Sequence, residues 1–452
     1  MRKSIRQQLS IVEPSVSHPH ARELHKMREI LDGLPEIAGL VHADLVCGLD
    51  DPEAGREGMM SAEQVFKAMH VKQMNGFSYE DLAFHLEDSR TYRSFCGFGI
   101  GDEIPSASTL QRDIKRVTPE TLEAVNMILL QTAADKGIEK GRKVRIDCTV
   151  VESHIHRPTD SSQLEDSVRV LTRLTGRAVE IFDLGIHFVN HHRRAKKRAL
   201  KILNAKSDKQ RKKPYKDLLQ VTGWTVGYAK TAVEALHSVF GIGVKEAAES
   251  AAEELCHYIS LAEKVMNQTE RRVLQGETVP AEEKVVSIFE PHTDIIVKDR
   301  RDTYYGHKIV LTGGISGLFT DLVVLEGNPA DSTLPVDMIS RQKKIYGRVP
   351  LKAAYDGGFA SNTNLEDIKG MGVRDATFRR KRGLKISDMA KSTWVYRRMC
   401  DFRAGIEGMI SFLKRCFGLR RCTWSGYESF KSYAWSSLIT ANLLLMARHM
   451  LT

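Results

Sequence analysis

Two apolar runs in this 452-residue chain each close on an aspartate, and that limits the folds open to it. Asp147 closes the first, "KVRIDCTVV", and Asp356 closes the second, "VPLKAAYDGGFAS". A continuous apolar run bounded by turn residues reads as a strand buried on both faces. A carboxylate at the end of such a strand is costly to place unless a cation or hydrogen-bond donors neutralise it. Gly357 and Gly358 let the backbone turn sharply beyond the second strand. A third acid, Glu407, lies in the helical stretch "DFRAGIEGMISFLKRCFGL", with Arg403 four residues before it and Lys414 seven after. Three such carboxylates are the hard-oxygen set that two Mg²⁺ ions need against a phosphodiester, and Mn²⁺ can substitute.

Around these acids the chain reads as three parts. Residues 1–140 are helical: Ser61 caps "SAEQVFKAMHVKQMNG", Ser78 with Asp81 forms a capping box, and Ser106 or Ser108 enters the next helix. Thr118-Pro119-Glu120 restarts another, and Gly55 and Gly58 mark an earlier loop. Gln111, Arg112, Lys115 and Arg116 share one short helix, which reads either as a helix-turn-helix reader of DNA or as the solvated basic face of a bundle. Residues 142–151 form the first strand, with its end at Asp147.

An insertion over residues 161–284 is helical and basic in its first half. It carries twelve Lys and Arg between Arg193 and Lys216 against one Asp. Ala195, Ala199, Ile202, Leu203 and Ala205 give that stretch a thin apolar stripe. Arg193, Arg194, Lys197, Lys201, Arg211 and Lys212 are the candidate phosphate contacts there, the alternative being a solvated helix face. Residues 244–276 are acidic and Ala-rich and read as its antiparallel helical partner. Strands resume at about residue 302 with a hairpin, then a helix entered near Asp331 or Ser332, the strand ending at Asp356, a short helix, the strand "VRDATF" and the last helices. The fold class is α/β, or α+β over the whole chain: a mixed sheet flanked by helices, built from residues 141–160 and 285–452 and interrupted once after its first strand.

A formal charge of +10 favours a polyanionic partner. Seven cysteines without a C-x-x-C pair are neither a disulfide framework nor a zinc site, which fits a reducing cytoplasm. The first residues lack the apolar core of a signal peptide, and the tail run "SSLITANLLLMARHM" is shorter than a membrane span and broken by Asn442. His154 and His156 stand in a His-x-His pattern that could take a transition metal, although the stretch around them gives it little support. Trp424, Tyr427, Phe430, Tyr433 and Trp435 read as core of the last helices.

The order of these blocks resembles the DDE transposases of bacterial insertion sequences, of the insertion-sequence-five/four-like kind. "RIDCTVVESHIHRPTDSSQL" resembles the first-Asp block, and "AAYDGGFASNTN" the second. "RDTYYGHKIVLTGGISGLFTDLVVLEGNPADSTL" is similar to the Y-x-G-(H/Y)-K strand pair and the N-x-x-D helix entry behind it. "RAGIEGMISFLKRCFGLRR" is similar to the R-x3-E-x6-K part of the family signature, and residues 61–125 to its helical N-terminal domain. The resemblance implies an RNase H-like catalytic domain in which Asp147 bridges two metal ions and Asp356 and Glu407 bind one each. It implies an N-terminal domain that reads the terminal inverted repeats. Double-stranded DNA, as transposon ends and as target, is the implied partner, met by a homodimer in the bacterial cytoplasm and nucleoid. Arg403, Lys414 and Lys308 are expected at phosphate, with an intrahelical ion pair as the alternative for Arg403 and Lys414; His307 beside Lys308 is expected to be packed or DNA-facing. Two departures stand out: Cys400 occupies the place of the signature Tyr, and the insertion is helical where some relatives have strands. An RNase H-like nuclease or resolvase would share the acids, and a domesticated DNA-binding protein would retain only the binding.

Overall fold

A computed structural model describes residues 4, 17–49, 59–99, 101–241, 243–298, 302–379 and 383–452. The loop at Gly55 and Gly58 and the basic residues 380–382 lie outside the described residues. Before the first strand come α1 (Pro19–Asp32), α2 (Pro35–Val46), α3 (Ala62–Asn75), α4 (Tyr79–Asp88), α5 (Arg90–Cys96), α6 (Ala107–Ile114) and α7 (Pro119–Asp135). Strand β1 (Lys143–Glu152) is followed by α8 (Asp160–Phe182), α9 (His192–Leu203), α10 (Asp208–Leu236) and α11 (Val244–Thr269). Then come β2 (Asp294–Lys298), β3 (Asp302–Gly313), β4 (Phe319–Val324), α12 (Pro335–Tyr346), β5 (Lys352–Tyr355), α13 (Asn362–Gly370) and β6 (Asp375–Phe378). The chain closes with α14 (Ile386–Met389), α15 (Thr393–Cys416) and α16 (Tyr427–Leu451). The architecture is mixed α and β.

Local chemistry sets the helix starts. Ser61 and Gln64 form a reciprocal capping box, as do Ser78 and Asp81, and Ser106 caps α6. Thr118 caps α7 with Pro119 in the first turn, where a missing N–H costs nothing. Pro335 explains a shifted boundary: residues 331–333 make a 3₁₀ turn, and α12 begins at the proline rather than near Asp331.

The chain divides into two compact units, Met1–Glu152 with His307–Thr452, and Ser153–Gly306. In the first unit the sheet order is β4-β3-β1-β5-β6, with β5 parallel to β1, β6 parallel to β5, and β4 antiparallel to β3. Alternate residues of β3 serve opposite faces, as strand geometry requires. Ile309 and Leu311 join a core with α1–α7 and α16, while Val310 joins Val144, Ile146, Ala353, Tyr355 and Phe378 against α12 and α13. The N-terminal helices therefore share a unit and a core with the sheet. Helix α16 is what joins them, because from Ser432 to Leu444 every residue of it is buried. Asn442, the polar break in that tail, is fully satisfied: it bonds both main-chain groups of Phe319, at 2.8 and 2.7 Å, and Asn126 at 2.9 Å. Among the described residues no helix is long and apolar enough to cross a membrane.

The second unit packs α8, α9, α10 and α11 around their own core, and β2 pairs with residues 302–306 of β3. In α9 the buried positions are Ala195 and Ile202, while Leu203 is 70% exposed, so the apolar stripe is narrower than its spacing suggests.

Candidate active site

Strand β1 does not end at Asp147. It runs on to Glu152, whereas its pairing with β5 stops at Ile146. The register matches Ile146 to Tyr355, the last residue of β5, so Asp147 and Asp356 stand side by side where the parallel pair opens. Residues 143, 145 and 147 project to the same side of β1, and α15 covers that side. The approach is close: a Cβ on Gly405 would lie 2.1 Å from the Arg145 guanidinium, which would have to shift to admit it. Arg145 in turn donates to the Phe402 carbonyl at 3.1 Å, which fixes α15 against the strand.

That docking aims Arg403 at all three acids. Its guanidinium bonds Asp147 at 2.7 Å and Glu407 at 2.8 Å, and lies 3.5 Å from Asp356. The Arg403 side chain is 6% exposed, against 16% for Asp147, 42% for Asp356 and 62% for Glu407. One buried cation thus underlies three carboxylates whose outer faces open to water. Arg379, at the end of β6, adds a second, longer contact with Glu407 at 3.7 Å. Beyond Asp356, a Cβ on Gly358 would meet the Asp331 carboxylate at 2.6 Å, so glycine lets that fourth acid sit beside the turn. Burial, then the charge of Asp331, pushes the Cys148 thiol far above its usual range, so it stays neutral next to Asp147.

The expected phosphate contacts fall differently. Arg403 is turned inward and makes an intrahelical ion pair with Glu407 as well as the pair with Asp147. Lys308 is buried, paired with Asp331 at 2.5 Å and donating to the Pro329 carbonyl at 2.7 Å, so it is not on an open surface. Lys414 donates to the Val150 carbonyl at 2.8 Å and anchors the far end of α15 on β1. His307 packs on Tyr427 and Phe430, with ring centroids 5.0 and 4.8 Å away. Tyr396, one helical turn before Cys400, donates its hydroxyl to the Phe378 carbonyl at 3.0 Å. Spacing alone did not point to Arg145, Arg379 or Asp331 as neighbours of the site. The available signal for Arg145 was its alternation with Asp147 on one face of the strand.

The donor set suits a hard divalent cation, being all carboxylate and partly open to solvent. With Arg403 standing among them, no group of three His, Cys, Asp or Glu side chains among the described residues is gathered closely enough to hold an ion as it stands. The three carboxylates outnumber the one guanidinium that all of them share, and Asp356 and Glu407 keep open faces from which a cation could be met.

Two other surfaces bear on function. In the second unit Arg193, Lys197, Lys201 and Lys212 are exposed. Arg194 pairs with Asp217 and lies over the Trp224 ring at 5.3 Å, and Arg211 bonds Asp208 at 3.1 Å. The basic run is two helices, α9 and α10, rather than one. In the first unit α6 exposes Gln111 and Arg112, Lys115 stands at its half-buried C-terminus, and Arg116 turns in to the Leu45 carbonyl at 3.0 Å.

Residues 12–116 match a family model described as "Transposase domain (DUF772)". The matched stretch takes in α1 to α6 and stops before the sheet, and it supports a transposase family for the chain. No curated protein and no solved structure matches the chain.

Proposed function

We propose that this chain is a DDE transposase of an insertion sequence, which binds the terminal inverted repeats of its own element and cleaves and joins DNA strands with the help of Mg²⁺. The observation that carries the reading is the gathering of Asp147, Asp356 and Glu407 on one guanidinium, although 209 and 51 residues separate them in sequence. The strand order β4-β3-β1-β5-β6, with β4 antiparallel to β3 and with β5 parallel to β1 and β6 parallel to β5, supports an RNase H-like catalytic core. The transposase-domain match over residues 12–116 supports end recognition by the helices in front of it.

Asp147, Asp356 and Glu407 would hold two Mg²⁺ ions, or Mn²⁺ in their place. Bound there, the metals would supply an activated hydroxyl and charge stabilisation at the phosphorus. The chain's own part is to position the carboxylates. β1 and β5 hold the two aspartates in register, α15 brings Glu407 across, and Arg403 restrains all three. With water as the nucleophile the product is a free 3′-OH; with that 3′-OH as the nucleophile the same groups serve strand transfer. A homodimer on the paired ends fits this reading.

The test is to incubate the full chain with duplex DNA carrying the sequences that flank its own gene, with and without Mg²⁺. Metal-dependent nicks that expose a 3′-OH at the element ends are expected. Cleavage independent of metal, or binding without any cleavage, would overturn the enzymatic reading.

A further inference from the structure

The face of β1 that carries Asp147 continues away from the acids into a cluster of cations. Lys143 lies 4.0 Å from the centroid of the Phe402 ring, and the Arg145 guanidinium lies over the same ring at 4.7 Å. Arg398, one turn earlier on α15, lies over the Trp394 ring at 5.5 Å, and that indole is 68% exposed. Lys352, at the start of β5, is the register partner of Lys143. Burial and then the charges of Lys352, Arg398 and Arg145 hold the Lys143 ammonium below its usual range. The carboxylates facing the cluster are engaged elsewhere in it: Asp375 pairs with Lys352 at 3.3 Å, and Glu139 acts on Arg145. Among the described residues, Lys143, Arg397 and Arg398 form no ion pair with a carboxylate. Cations that rest on aromatic rings and repel one another are poised for an external anion.

The seam between β1 and α15 orders these charges in one line. Lys143 and Arg398 stand at one end, the acids at Asp147 and Glu407 in the middle, and Lys414 at the Val150 end. Lys143 and Asp147 are four residues apart, about 13 Å along an extended strand. We infer that Lys143 and Arg398, with Trp394 beside them, form a binding site for the phosphodiester backbone of a DNA strand whose reacting phosphate lies at the acids. The inference rests on DNA being the partner proposed above. The site holds the strand a few nucleotides from the point of reaction, through backbone charge and not through base sequence. Trp394 gives the strand a flat apolar surface beside the two cations.

The experiment is a salt titration of duplex DNA binding by the full chain in the absence of divalent metal. It compares wild type with Lys143→Gln/Arg398→Gln, with the charge-preserving Lys143→Arg/Arg398→Lys, and with the single exposed change Arg398→Gln. The neutral double variant is expected to flatten the logarithmic salt slope by about 0.9 for each phosphate that is no longer neutralised, with Arg398→Gln giving about half of that change. The charge-preserving pair should restore the slope. An unchanged slope in both neutral variants, with wild type binding, would overturn the strand site and leave the catalytic proposal standing. Slopes that flatten as expected, with no Mg²⁺-dependent cleavage by wild type, would overturn the catalytic proposal and leave the strand site standing. Absence of DNA binding by wild type would overturn both.

Discussion

At the residue scale, Arg403 decides how the three acids are held. It is nearly buried and shared by Asp147, Asp356 and Glu407, so its charge offsets repulsion that would otherwise spread them. Removing one partner of a buried ion pair leaves the other charge uncompensated. Arg403→Gln is therefore expected to lower unfolding stability by on the order of 3 kcal/mol, read from denaturant titration. Adding Asp147→Asn to it should recover part of that stability, and full additivity of the two changes would refute the coupling. The carboxylates themselves answer to a different measurement. Asp147→Asn, Asp356→Asn and Glu407→Gln each keep shape and remove a negative ligand, so each is expected to abolish strand cleavage while DNA binding persists. A variant that still cleaves at the wild-type rate would release its residue from the assigned role.

At the scale of elements, α15 and α16 are the two helices on which the first unit depends. α15 was legible as the carrier of Glu407 from its spacing, but its depth on β1 depends on Gly405 meeting Arg145, a contact between positions 260 residues apart that no local pattern encodes. Helix α16 read as core from its apolar content, and its buried partners include α3. There His70 lies wholly buried, with Nδ1 2.7 Å from the Thr440 hydroxyl and Nε2 without a hydrogen-bond partner. Burial pushes the His70 imidazole down to about 3. Between pH 6.5 and about 3 the unfolded chain binds this proton and the folded chain does not, so stability falls as pH drops through that window. His70→Gln should make the acid limb of the stability profile shallower, by up to about 1.4 kcal/mol per pH unit. Equal slopes for wild type and variant would show that His70 does not titrate across unfolding.

At the scale of the whole molecule, charge is unevenly shared between exposed and internally paired groups. Of the six basic residues singled out in the insertion, Arg193, Lys197, Lys201 and Lys212 are exposed, Arg194 is exposed but tied to Asp217, and Arg211 is tied to Asp208. Reversing Arg193, Lys197, Lys201 and Lys212 to Glu is expected to weaken binding to all duplex sequences alike and to flatten its salt dependence. Reversing only Arg194 and Arg211 should do less. Changes at Gln111, Arg112 and Lys115 are expected instead to alter the preference for element ends over random DNA. A salt titration on both DNAs separates the two effects, and an unchanged slope after the four reversals would leave the insertion with a merely solvated face.

The order of elements was written in the sequence because strands, helices and caps are local: apolar runs, Ser and Thr caps, and Pro119 gave β1, β5, the helical insertion and the starts of α3, α4, α6 and α7 near their observed places. The three acids were legible for the same reason, since each sits in its own short block. What faces those acids was not legible. Only the tertiary structure turned Arg403 and Lys308 inward, carried β1 past Asp147, put the N-terminal helices and the sheet around one helix, α16, and lined up Lys143, Asp147 and Lys414 along a single seam. The physical reason is that a basic residue in a helix or strand has one spacing but several possible partners. Its choice between water, phosphate and a buried carboxylate is made by contacts from segments hundreds of residues away.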